Sequence, residues 1–167
     1  MRRIAALTRN PIAISLVALL AVSGCASKKM ANNPADLGLN ANNAAPGTAQ
    51  DFTLNVGDRI FFDTDSSQIR ADAQGTLAKQ AQWLNQYRNY AITIEGHADE
   101  RGTREYNIAL GARRAAATRD FLIARGVQSN RLRTISFGKE KPVAICDDGS
   151  CQTQNRRAVT VLGGAAS

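Results

Sequence analysis

The residues of this chain that could do chemistry gather in one stretch, residues 94–127, which reads IEGHADERGTREYNIALGARRAAATRDFLIARGV. Asp99 stands just before a helical pattern, and Arg113 and Arg114 lie about one turn past Leu110 within it, so a carboxylate and a guanidinium can converge on one cleft. Such a pair suits a ligand that is itself zwitterionic. The carboxylate takes an ammonium, and Arg takes a carboxylate through two parallel N–H bonds that Lys cannot reproduce. The same residue types also have plainer uses, since an Asp before a helix often caps it and an Arg on a helix is usually solvated. Spacing alone leaves both readings open. His97, the only histidine, lies near Glu95, Asp99 and Glu100, residue types that also serve as general bases or metal ligands. No companion nucleophile is identifiable, and Glu95, His97 and Asp99 share a face only if a strand continues past Gly96. The expectation for His97 is therefore a solvent-facing or ligand-neighbouring side chain without a catalytic role.

The elements that must position these groups can be read from periodicity. Ile92 and Ile94 alternate with Thr93 and Glu95, which predicts a half-buried strand ending near His97, where Gly96 lets the backbone leave it. Beyond Gly102, apolar residues recur at Tyr106, Leu110, Ala117, Phe121 and Ala124, the spacing of a helix face, and Arg125-Gly126 supplies a cationic last turn and a C-terminal glycine. Earlier, residues 59–62 read as a strand, after which comes the polar turn Asp63-Thr64-Asp65-Ser66-Ser67, in which Asp65 and Ser66 are suited to cap a helix entered from it. That second amphipathic helix carries Ile69, Ala73, Leu77, Ala81 and Leu84, with Trp83 alongside, and stops around Tyr87 to Tyr90. Residues 133–137 and 158–162 complete the pattern as strands. The order β-α-β-α-β-β predicts an α/β (α+β) sandwich, a mixed sheet with helices on one face. If the first two strands run parallel through a right-handed crossover, the turn at Phe62, Asp63, Thr64 and Asp65 faces Asp99.

The run HADERGTREYNIALGARRA, with D-E-R-G, Y-N-x-A-L and R-R-A at their separations, resembles the signature of the OmpA-like peptidoglycan-binding domain family, and the resemblance extends over about residues 56–162. It implies a non-enzymatic binding domain whose loop Asp and second Arg of R-R-A, here Asp99 and Arg114, grip meso-diaminopimelate of the peptidoglycan stem peptide. It also implies that the first loop, F-D-x-D in the family and Phe62-Asp63-Thr64-Asp65 here, lines the peptide pocket, with Leu110 touching the ligand. Phe62 can equally be a core residue, and Asp63 and Asp65 can serve the turn itself. For a lipid-anchored member of the family the resemblance further implies docking on the Tol system, notably its periplasmic propeller TolB, through a surface overlapping the wall-binding site, and the same competition is expected here. It also implies a role in envelope integrity and outer-membrane constriction at cell division.

The N-terminus reads as a targeting segment, residues 1–24, with Arg2, Arg3 and Arg9 before an apolar run, residues 12–22, too short for a stable membrane span. Val22-Ser23-Gly24-Cys25 resembles a bacterial lipobox, which makes Cys25 the expected lipid attachment site. Each buried acyl methylene contributes about 0.8 kcal/mol, so several chains hold a protein on a membrane almost permanently. Ala26 and Ser27 lack the Asp of an inner-membrane retention signal, so the expected address is the outer membrane, with the domain in the periplasm. Residues 25–50 are rich in Asn, Ala, Gly and Pro and read as a lipidated flexible tether. Such a segment spans roughly 25 to 30 Å on average and at most about 80 to 90 Å. Residues 51–167 suit one domain.

Three of the 21 Lys and Arg residues and none of the 14 acids precede Cys25, so 18 cations face 14 anions beyond it and the net charge falls from +7 to +4. With one Trp, no basic-aromatic motif and an export signal, a nucleic-acid role is excluded. Cys146 and Cys151 bracket Asp-Asp-Gly-Ser in an exported chain, which predicts a disulfide contributing about 2 to 3 kcal/mol by loop closure. No second Cys pair or nearby His completes a tetrahedral metal set, and no cofactor is expected. Two rival readings remain: a periplasmic cell-wall hydrolase built on His97, and a pure protein-interaction module.

Overall fold

The computed structural model describes residues 44–145 and 149–165. The chain runs through α1 (Ala49–Asp51, continued by a wider π-helical turn, Phe52–Gly57), β1 (Arg59–Phe61), α2 (Ala71–Gln86), β2 (Tyr90–His97) and α3 (Arg104–Ala124). A 3-10 turn (Ser129–Arg131), β3 (Leu132–Gly138), α4 (Gly149–Asn155) and β4 (Arg157–Ala165) complete it. The predicted strand and helix order is present, in an α+β fold with a mixed sheet, and α1 and α4 are additions that periodicity does not announce. Cys25 and Cys146 lie outside the described residues. Cys151, buried in α4, is disulfide-bonded.

The sheet order is β1-β4-β2-β3. Because β4 is antiparallel to both of its neighbours, β1 and β2 run parallel to each other, with the start of β4 between their C-terminal ends. The loops after β1 and β2 therefore leave the same end of the sheet. β3 adds parallel on the far side of β2, its register shifting between Gly96 and His97.

Helix α2 presents Ala73, Leu77, Ala81 and Leu84 to the core, as its periodicity predicts. Its start differs from the expectation: α2 begins at Ala71, so Asp65 and Ser66 stay in the preceding turn and do not cap it. Trp83 packs against Phe52 and Tyr87 with ring centroids 5.0 and 4.6 Å apart, and its indole N–H donates to the Asp51 carboxylate at 2.8 Å. The Tyr90 hydroxyl donates to the Gly47 carbonyl at 2.8 Å, so the last residues of the segment read as tether hydrogen-bond with the domain.

Helix α3 packs on β2 and β3, and its buried stripe is not the one that apolar spacing selects. Asn107, Leu110, Gly111, Arg114, Ala115, Thr118 and Leu122 face inward, whereas Tyr106 is exposed and Ala124 is solvent-facing. The inward stripe is rich in polar and small residues because their hydrogen bonds are made inside: Asn107 donates to the Arg101 carbonyl and the Thr118 hydroxyl to the Arg114 carbonyl. Gly111 is there because the backbones nearly touch. A Cβ on Gly96 of β2 would run into the Gly111 carbonyl, and one on Gly111 would meet the Ser136 hydroxyl of β3.

Gly96→Ala is expected to lower unfolding free energy by about 1–3 kcal/mol, the usual cost of overpacking. Gly149→Ala, where an added Cβ meets nothing within 4 Å, serves as control in the same urea melts. Coincident midpoints for the two variants would show that β2 and α3 can separate freely.

Candidate functional site

At the shared end of β1 and β2 the two loops enclose a cavity of about 300 Å³, lined by Thr64, Asp65, Asp99, Arg101, Gly102, Tyr106, Asn107 and Leu110. Its walls are held by groups that the loops cannot supply alone. Asn107 of α3 donates to the Arg101 carbonyl at 2.7 Å, and the Lys139 ammonium donates to the Gly102 carbonyl at 2.7 Å. Thr103 caps α3, its hydroxyl accepting from the Tyr106 N–H at 3.2 Å. Asp99 is therefore not the helix cap and its carboxylate is left for other partners.

Those partners are arginines. Arg101 Nη2 donates to Asp99 Oδ2 at 2.7 Å and Arg156 Nη1 to the same oxygen at 3.2 Å. Burial of Asp99 works to raise its pKa, but the hydrogen bonds from Arg101 and Arg156 outweigh it and hold the carboxyl below the usual carboxylate range. Arg156 stands immediately before β4 and also donates through Nε to the Phe62 carbonyl at 3.2 Å, so it ties the loop after β1 to Asp99. Asp65, at a positive φ of 54°, accepts from the Tyr106 hydroxyl across the cavity rim.

Arg114 is fully buried and stands behind the cavity, not on its wall. Nε donates to the Ser66 carbonyl at 2.8 Å, Nη1 to the His97 carbonyl at 2.8 Å and Nη2 to the Asp63 carbonyl at 3.0 Å. Its guanidinium lies 5.2 Å from the centroid of the Phe62 ring. Burial, opposed by the charge of Asp99, lowers its pKa to about 10, so it remains a cation at neutral pH. Arg113, its neighbour in sequence, is exposed and sits over the Tyr106 ring at 5.9 Å.

Of the residues singled out in the sequence, Asp99, Leu110, Thr64 and Asp65 meet around the cavity. Phe62, 1 % exposed, is a core residue. Asp63 contributes its carbonyl to Arg114 while its carboxylate pairs with Arg70 at 3.2 Å outside the cavity. Three participants escape sequence reasoning. Arg101 lies inside the D-E-R-G motif without standing out from it, Tyr106 falls on the face that spacing marks as buried, and Arg156 sits just ahead of the predicted last strand.

His97 departs from its expectation: it is 1 % exposed and neither faces solvent nor lines the cavity. Arg157 Nη2 approaches Nδ1 at 3.3 Å, and a guanidinium can only donate, so Nδ1 accepts and the neutral ring carries its proton on Nε2. That nitrogen has no hydrogen-bond partner among the described residues, with the Glu95 carboxylate 3.5 Å away. Phe137 stacks on the ring. Burial first, then the charges of Arg157, Lys141 and Arg59, lower the His97 pKa to about 4. Among the described residues no group of three His, Cys, Asp or Glu side chains is placed to hold a metal ion.

Residues 61–156 match the model of the OmpA family. The chain is 76% identical over 168 residues to the peptidoglycan-associated lipoprotein of Mesorhizobium japonicum, covering 100% of both chains, and 71% identical over 166 residues to that of Brucella melitensis, covering 99% of each. Among solved structures it is similar to the peptidoglycan-associated lipoprotein of Burkholderia pseudomallei, with a TM-score of 0.62 and 42% identity over 64% of this chain and 90% of that one. The C-terminal domain of Helicobacter pylori MotB shares the fold, with a TM-score of 0.60 at 24% identity over 65% of this chain and 86% of that one.

The buried imidazole makes stability depend on pH in a defined window. Between the unfolded His value of 6.5 and the folded value of about 4, the unfolded chain binds the extra proton, so stability falls as pH drops through that range and the effect levels off below it. The contribution is on the order of 3 kcal/mol. Denaturant melts at pH 7 and pH 4.5 are expected to show a smaller loss for His97→Asn than for the parent. Parallel pH dependences would remove His97 as the cause.

Proposed function

The chain belongs to the OmpA family and, within it, to the peptidoglycan-associated lipoproteins, and from that membership we propose how its cavity is used. It is an envelope protein that binds peptidoglycan without catalysing a reaction, its relatives being named for lipid attachment and association with the wall. The cavity takes the meso-diaminopimelate end of a stem peptide. Asp99 meets the ammonium, and Arg114 acts from behind as the cation that holds residues 63–66 against the end of β2. The observation that carries this reading is the convergence of Asp99, Asp65, Arg101 and Leu110 on one hollow, with charges of both signs beside an apolar wall. A zwitterion on an aliphatic chain fits that combination.

Cys25 carries the acyl chains that hold the protein on the outer membrane, with the domain in the periplasm. No helix among the described residues is long and apolar enough to cross a membrane. The residues after Cys25 let the domain reach the wall while the lipid stays in the bilayer, which raises its local concentration there. The protein serves the Tol system by the same surface: TolB and the stem peptide compete for the cavity and its rim, and the linkage supports envelope integrity and constriction at division. The hydrolase reading has lost its motive, because His97 is buried away from the cavity with its Nδ1 taken by Arg157.

Asp99→Asn keeps the shape and removes the charge, and is expected to weaken pull-down by purified sacculi at least about tenfold. Arg114→Lys retains a charge but replaces three separated nitrogens on a planar fork by one ammonium on a shorter stem, which cannot match the spread of the three carbonyls, so it should lose both sacculus binding and thermal stability. Sacculus binding by both variants at the parent's level would overturn the site. Separately, Cys25→Ala should move the protein from the membrane to the soluble fraction of cell lysates, and retention with the membranes would refute acylation there.

A further inference from the structure

We propose that Arg101 reads the ligand's carboxylate and makes the site selective for a free carboxylate over a carboxamide on the diaminopimelate side chain, an inference that rests on the peptidoglycan reading above. Four guanidiniums lie near the cavity, and three of them are committed elsewhere and do not line it. Arg114 has placed each of its three nitrogens on a backbone carbonyl and is fully buried. Arg156 is 8 % exposed and spends Nε on the Phe62 carbonyl and Nη1 on Asp99. Arg113 stands over the Tyr106 ring and does not line the cavity.

Arg101 differs on each count. Its side chain is 49 % exposed and it lines the cavity. Among the described residues only Nη2 is engaged, with Asp99 at 2.7 Å and Thr64 at 3.4 Å, which leaves Nε and Nη1 to donate. The fork is thus held by one corner, which lowers the cost of ordering it on binding, and its remaining donors belong to a side chain that lines the cavity. A guanidinium has donors only. A carboxylate meets it with two charged acceptor oxygens, whereas a carboxamide offers one neutral oxygen and an NH2 that opposes donor with donor. Asp99 keeps Arg156 as a second partner, so removing Arg101 does not orphan the buried carboxylate.

The test uses the full chain in detergent and two soluble tripeptides, L-alanyl-γ-D-glutamyl-meso-diaminopimelate with its side-chain carboxyl free or amidated, each titrated calorimetrically. Sacculus pull-down runs beside them. The parent is expected to bind the free acid at least about tenfold more tightly than the amide. Arg101→Gln should weaken the acid at least about tenfold and the amide by less than about threefold, so that the preference collapses with the melting temperature unchanged. Arg101→Lys, with charge but no fork, should fall between the two. Equal affinity of the parent for both peptides, or an undiminished preference in Arg101→Gln and Arg101→Lys, overturns the role of Arg101 while sacculus binding leaves the wider reading standing. A parent that holds neither peptide nor sacculi removes both together.

Discussion

The site depends on a cation in the protein interior. Arg114 comes from the middle of α3 and hands its three nitrogens to carbonyls at the end of β2 and in the turn after β1, segments that approach each other at one end of the sheet. Removing a guanidinium from water carries a large desolvation cost, and here it is offset by three directed hydrogen bonds, the face of Phe62 and the nearby charge of Asp99. The carbonyls gain as well, because loop backbone buried without donors is itself unfavourable. What the cation secures is the relative position of two loops, and the cavity is the space between them.

Arg131 solves a similar problem at the other end of β2. It donates to the carbonyls of Leu84, Tyr87 and Tyr90, closing the C-terminal end of α2 and the turn into the strand. The sheet is therefore clamped at both ends by guanidiniums reading backbone, with a modest apolar core between them. Arg156 and Arg101 continue the same chemistry toward solvent, and their meeting on one oxygen of Asp99 keeps that carboxylate ionised and oriented. From Arg114 through Asp99 to Arg101, the charges pass from full burial to half-exposure, and only the outermost retains donors to offer a ligand.

Two elements show why sequence pattern succeeds in one helix and misleads in the next. In α2 the buried positions are apolar except for Gln80, which donates to the Gly57 carbonyl and accepts from the Thr160 hydroxyl, so apolar spacing and the helix face largely coincide. In α3 the inward stripe holds Asn107, Gly111, Arg114 and Thr118, each selected for a hydrogen bond or for smallness, and hydropathy cannot score either property. The apolar residues of α3 instead include Tyr106, which stands at the cavity rim with its hydroxyl on Asp65. His97 misleads in the same way, since its polarity suggests solvent while Arg157, Phe137 and Glu95 enclose it.

The sequence by itself determined, through local periodicity, the order of the main strands and helices along the chain. It set the turn at Thr64 and Asp65 opposite Asp99 on the condition that the first two strands run parallel, and Leu110 joined that group through the family resemblance. Only the tertiary structure decided which arginine is buried and which is exposed, because four of them lie near the site and their roles turn on which carbonyls and carboxylates reach them first. Guanidiniums are alike in a sequence; their desolvation and their partners are properties of the folded surroundings.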